Sequence, residues 1–176
     1  MTDKGLLIEE KAVRFERLLP GPVERVWEHL TRSEYLPLWF GGSGMTYEIE
    51  GREGGAVNLG NGHIRGIVTR WRPPHLLSYT WNLADGPGLD SAYPESFLTF
   101  ELKPQGDEVL LILTHRPIGD PFQPHTLMGW HTFLDLLGAL LRGEELEPSD
   151  TAMQRNAGIY GVEQPMHPPY PENVAD

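Results

Sequence analysis

The 176-residue chain contains no cysteine. That absence removes disulfide frameworks, thiol nucleophiles, iron–sulfur ligation and cysteine-bound zinc together, and it fits a reducing compartment. Positive charge is scarce as well, with 14 Lys and Arg against 25 Asp and Glu and a formal net charge of −11. A field of that sign repels nucleic-acid phosphates and anionic headgroups, so neither nucleic acid nor a membrane surface is an expected partner. No apolar run approaches the ~18 residues of a membrane span, and the start "MTDKGLLIEEKAV" has no basic segment leading into an apolar one. These features predict a cytoplasmic protein. Catalytic signatures are missing too: there is no GxSxG, Walker loop, GxGxxG or HExxH, hence no nucleophile elbow, phosphate cradle or zinc helix. The seven histidines show no ligand spacing, since His125 and His131 lie about 240° apart around a helix. No cofactor and no metal are expected. The carboxylates offer no inward pair for glycosidase chemistry, because Glu101 and Glu108 fall on exposed parity or in a turn.

What is present is the composition of a globular protein, 39% hydrophobic and 22% charged. Composition changes at Arg142-Gly143. Residues 1–142 read as one domain. Residues 143–176 read as an acidic, Pro-rich tail in which Glu144, Glu145, Glu147, Asp150, Glu163, Glu172 and Asp176 face Arg155 alone, contributing −6 of the −11. Such a tail is expected to be solvated. Its Ile159, Tyr160, Met166 and Tyr170 could instead form an extended strap on the domain or on a second subunit. A homodimer would form through this tail or through the outer face of the sheet.

Within the domain, Val13, Phe15 and Arg17 alternate against Arg14, Glu16 and Leu18, the period of a strand. A turn at Pro20-Gly21 leads to Pro22, suited to open a helix whose Val23, Val26, Trp27 and Leu30 share one face. A second short helix, which Ser33 can cap, is closed by Pro37, Gly41 and Gly42, with Trp39-Phe40 near its end. From Met45 to His115 six strand-like runs follow ("MTYEIE", "GAVNLG", "HIRGIVTRW", "LLSYTWNL", "SFLTFELK", "EVLLILTH"), separated by turns too short for parallel crossovers. A long helix from about Pro124 to Arg142 repeats Leu127, Trp130, Leu134, Leu137 and Leu141 on one face, and Gly143 stands past its end. The fold class is α+β: a curved antiparallel sheet of six to seven strands wrapped around a long C-terminal helix, with two short helices after strand 1.

Three stretches carry a resemblance to a known family: "RLLPGPVERVWEHLTRSEYLPLWFGG", "GIVTRWRPPHLLSYTW", and "LTHRPI" with "GWHTFLDLLGALLRG". In this order, over residues 11–142, they resemble the START-like (SRPBCC, helix-grip) superfamily, and within it the branch similar to the C-terminal domain of the activator of the heat-shock-protein-ninety ATPase. The resemblance implies a cavity between the long helix and the concave sheet, used for apolar ligands or, in some branches, for catalysis. It implies three readings: a protein that binds a small hydrophobic molecule, a polyketide cyclase- or dehydratase-like enzyme, and a co-chaperone with a chaperone partner.

Strand parity selects the lining. Leu77, Tyr79, Trp81 and Leu83 share a face, as do Leu98, Phe100 and Leu102, and Leu111, Leu113 and His115. The expected ligand-binding set is Trp39, Phe40, Tyr79, Trp81, Phe100, Leu113, His115, Leu127, Trp130 and Leu134. His115, at the end of an inward apolar row, is the candidate general base or carbonyl-polarising group; bonding to a strand-end carbonyl is the plainer alternative. His63 and Arg65 are further candidates if a bulge at Gly66 turns them inward. His131 and Asp135, four apart on the long helix, are adjacent and able to orient an imidazole.

Overall fold

The computed structural model describes residues 4–9, 11–40, 44–83, 95–163 and 165. Two strands open it, β1 (Leu6–Glu9) and β2 (Ala12–Pro20). The alternation along β2 buries Val13, Phe15, Arg17 and Leu19 on one face. Helix α1 (Val23–Thr31) follows, its Val26, Trp27 and Leu30 inward, and then α2 (Leu36–Phe40), which buries Leu36, Trp39 and Phe40. Pro37, expected with Gly41 and Gly42 to close α2, is instead its second residue, where a missing N–H costs no helical bond; Gly41 and Gly42 lie outside the described residues.

Six strands come next: β3 (Tyr47–Ile49), β4 (Ala56–Leu59), β5 (Ile64–Arg72), β6 (Leu76–Leu83), β7 (Ser96–Gln105) and β8 (Glu108–Arg116). All pairings are antiparallel, in the order β1-β2-β8-β7-β6-β5-β4-β3. The described sheet thus has eight strands, one more than the sequence predicts. The addition is β1, whose four residues, LLIE, are too short to show alternation.

A 3₁₀ turn (Asp120–Phe122) leads into α3 (Gln123–Leu141), 19 residues lying across the concave face. Leu127, Trp130, Leu134, Leu137 and Leu141 are all buried, and they join the inward residues of β2, β6, β7 and β8 in a single core cluster.

The segment expected to be a solvated tail contains a helix, α4 (Ser149–Tyr160). It packs on α3 through Ala152, Met153, Asn156, Ala157 and Tyr160. It ends at Gly161 in the left-handed region (φ 68°), where the Val162 N–H reaches back to the Ala157 carbonyl at 2.9 Å and Val162 packs on Ala157. That is a Schellman closure with its hydrophobic contact. The strap reading fails at Tyr160, which is helical; Met166 and Tyr170 lie outside the described residues.

Candidate functional site

The aromatic residues of the concave face form a continuous seam with those of α2 and α3. Trp39 stacks on Phe40 with centroids 4.1 Å apart, and its indole N–H donates to the His29 carbonyl at 2.7 Å. Phe40 in turn meets Tyr47 (5.7 Å), Trp130 (6.0 Å) and Phe133 (5.2 Å). These contacts cover the two rings at the end of α2. Trp130, at the centre, also touches Trp81 (5.2 Å) and Phe100 (6.0 Å). Tyr79 is fully buried beside Trp81, and burial pushes its hydroxyl pKa up. Trp81 and Phe133 alone in this seam are only half-buried. The rings touch one another and occupy the space between α3 and the sheet.

An imidazole also enters the seam. His115 is 2% exposed. Its Nδ1 accepts the Trp130 indole N–H at 3.0 Å, and its Nε2 lies 2.7 Å from Ser96 Oγ. An indole nitrogen can only donate, so Nδ1 carries no proton and the ring is the neutral Nε2–H tautomer. Nε2–H therefore donates to Ser96 Oγ, and Ser96 donates onward to the Trp81 carbonyl at 3.3 Å. Burial lowers the His115 pKa from 6.5 to about 3. Both ring nitrogens are committed. Ser96 is not a nucleophile waiting on a base, because the imidazole nitrogen facing it already holds a proton.

The other predicted residues are placed as follows. Phe100, Leu113, Leu127 and Leu134 are buried on the concave side. His63 is exposed, and Arg65 sits opposite Asn58 and Asn82 on the convex side. The bulge expected at Gly66 falls instead at Thr69, where pairing steps from Val68–Tyr79 to Arg70–Ser78. It switches faces after Val68, too late to bring Arg65 in, and turns Trp71 inward against Trp27 at 5.0 Å. Gly66 answers a different need: a Cβ there would lie 1.8 Å from the Thr80 carbonyl oxygen.

His131 and Asp135 do meet (Nε2–Oδ2 3.5 Å), within a network the sequence gives no signal for. Asp135 also takes Arg17 at 2.8 Å, Arg155 at 3.4 Å and Asn156 at 3.3 Å, while His131 Nδ1 lies 2.8 Å from the Tyr160 hydroxyl. These partners come from β2 and α4, distant in sequence. Beside them a groove of about 380 Å³ runs between β2 and the last turns of α3, with Arg17, Asp135, Arg142, Glu144, Glu145 and Glu147 making half of its twelve lining residues. Among the described residues no group of three or more His, Cys, Asp or Glu could hold a metal, and no helix is long and apolar enough to cross a membrane.

A long helix gripped by a curved antiparallel sheet, with a ring-lined seam between them, defines the START-like helix-grip class. The model of the family described as activator of Hsp90 ATPase homolog 1-like protein matches residues 20–142, and the chain belongs to that family. Among solved structures it is similar to CalU16 from Micromonospora echinospora (25% identity, 86% of each chain, TM-score 0.67) and to the protein of gene BPP1335 from Bordetella parapertussis (27%, 90% of this chain and 89% of that, 0.66). PFC0360w of Plasmodium falciparum, described as an HSP90 activator, shares the fold at 23% identity, covering 62% of this chain and 74% of its own (0.54). No curated protein matches the chain.

Proposed function

We propose that the chain binds a small apolar molecule, without catalysis, in the seam between α3 and the concave sheet. The observation that carries this reading is the ring set itself: Phe40, Trp81, Phe100 and Phe133 all meet Trp130, whose indole is bonded to the neutral His115 imidazole. Since these rings are in contact, a ligand enters by displacing Trp81 and Phe133, the half-buried pair, and stacks on Trp130. The groove beside Asp135 suits an apolar ligand less, because charged side chains form half its wall.

A cyclase- or dehydratase-like enzyme has less support, since His115 is neutral and occupied at both nitrogens and His63 and Arg65 lie off the concave side. A co-chaperone role rests on the family description alone. The test is a panel of fatty acids, aromatics and polyketides, read by tryptophan emission and melting temperature. A bound ligand quenches emission and raises the melting temperature, and Trp130→Phe weakens both effects. A panel that shifts neither quantity overturns the reading.

A further inference from the structure

The side of the sheet facing away from α3 has its own chemistry. Strand pairing puts Arg65 and Ile67 of β5 on this convex side, together with Arg70 and Arg72 beyond the Thr69 bulge, and Phe97 and Lys103 of β7. With Arg14 and Arg116, six of the chain's 14 cations stand on one face of a protein whose net charge is −11.

Pairing separates four of these cations from the rest, since Arg14 meets Glu16 on the same face. Elsewhere Arg17 meets Asp135, Arg32 meets Glu28 and Glu34, Arg52 meets Glu50, Arg142 meets Glu144, and Arg155 meets Glu147. Arg65, Arg70, Arg72 and Lys103 meet no carboxylate among the described residues. Carboxylates are in excess, so scarcity does not explain it. Among these cations lie two of the most exposed large apolar side chains, Ile67 (56%) and Phe97 (44%). They are held about 10 Å apart, two strand spacings, by Thr80, which pairs with Phe97 and accepts the Ile67 N–H at 2.9 Å.

From this geometry we propose that the convex face of β5–β7 docks an acidic protein segment bearing apolar side chains. Its carboxylates meet Arg65, Arg70 and Arg72, and an aliphatic or aromatic side chain covers Ile67 and Phe97. Rim charges of this kind set approach and specificity, and the apolar pair supplies the anchor. A densely charged polyanion is a poorer fit, because the field of the whole molecule opposes it while a few carboxylates beside an apolar anchor suffer little. The face lies on the other side of the sheet from the ring seam, so this docking stands or falls separately from ligand binding.

The test titrates isotope-labelled protein with a short peptide alternating Glu and Leu, with its Lys–Leu counterpart, with polyuridylate and with phosphatidylserine vesicles. The acidic peptide is expected to shift amide resonances of β5, β6 and β7 alone and to bind more weakly as salt rises. The triple variant Arg65→Glu, Arg70→Glu, Arg72→Glu loses affinity by about tenfold or more, and so does the pair Ile67→Ser, Phe97→Ser. Ile67, Arg70, Arg72 and Phe97 are exposed and Arg65 is half-buried on the convex side; both variants keep the parent melting temperature. Absence of binding by the acidic peptide overturns the proposal, as does equal binding by the Lys–Leu peptide or by the triple variant. Tighter binding of polyuridylate or vesicles overturns it in favour of a polyanion, and sedimentation showing self-association abolished by the triple variant overturns it in favour of a second copy of this chain.

Discussion

His115 is held as a neutral imidazole by one partner at each ring nitrogen, Trp130 at Nδ1 and Ser96 at Nε2. Parity along β8 sets it inward, yet the partners that fix its protonation, Trp130 and Ser96, are 15 and 19 residues away in sequence. No local pattern couples them. The consequence is measurable through pH. With the folded pKa near 3 and the unfolded value at the ordinary ~6.5, the unfolded chain binds the extra proton between these limits. Stability from this group is therefore complete above pH ~6.5 and declines as pH falls toward 3, by at most about 1.4 kcal/mol per pH unit. Urea denaturation from pH 7.5 to 4 reads that slope, and His115→Gln should flatten it while lowering stability at pH 7.5. A slope unchanged by the substitution would show that other groups carry it. Trp130→Phe tests the other end of the bond: Nδ1 is left as a buried acceptor with no donor, at a cost of about 1–3 kcal/mol beyond the smaller ring.

At the scale of elements, β5 and β6 offer the sharpest prediction. Gly66→Ala places a methyl on the Thr80 carbonyl, which belongs to a paired strand and cannot swing aside as a side chain would. The two strands must separate locally, and a loss of about 1–3 kcal/mol is expected in denaturation, with faster amide exchange confined to β5 and β6. The sheet and α3 were legible in the sequence because each has a long periodic run: β6 to β8 alternate over eight to ten residues, and α3 repeats its leucines over 19. α4 was not, for a physical reason. Its buried face is Ala152, Asn156 and Ala157, small or polar residues whose burial comes from close approach and hydrogen bonding to Thr132 and Asp135 rather than from bulk. A hydropathy pattern cannot register such a face. Asp135→Asn removes the charge on which Arg17, Arg155 and His131 converge, and it should cost about 1–3 kcal/mol, with α4 amides losing protection before those of α3. Equal loss across both helices would mean that α4 is held by its apolar contacts alone. The ring-lined site was legible only in part: strand parity selected Tyr79, Trp81 and Phe100, but their mutual contact with Phe40 and Phe133 depends on where α2 and α3 come to rest.

For the molecule as a whole, the question is whether residues after Gly143 are an appendage or part of the folding unit. The Gly5 N–H donates to the Tyr160 hydroxyl at 3.0 Å, across 155 residues of sequence. The same hydroxyl meets His131 on α3, so the chain's opening segment, its long helix and α4 share one polar contact, flanked by Met128, Ala157 and Val162. An appendage would be lost without consequence. A piece of the folding unit would not, because its removal uncovers Met128, His131 and Thr132 and leaves Asp135 without Arg155 and Asn156. Truncation after Glu147 is accordingly expected to lower the melting temperature by about 5–10 °C, the shift that a few kcal/mol produces in a chain of this size. The full chain should melt in a single calorimetric transition, with α4 lost together with the sheet rather than before it. β1 supplies the control. It lies next to the Gly5 contact, and its amides should exchange faster in the truncated protein while those of β7 and β8 keep their order of protection. A truncated protein with the parent melting temperature and an unchanged β1 would return the segment to the status of a tail.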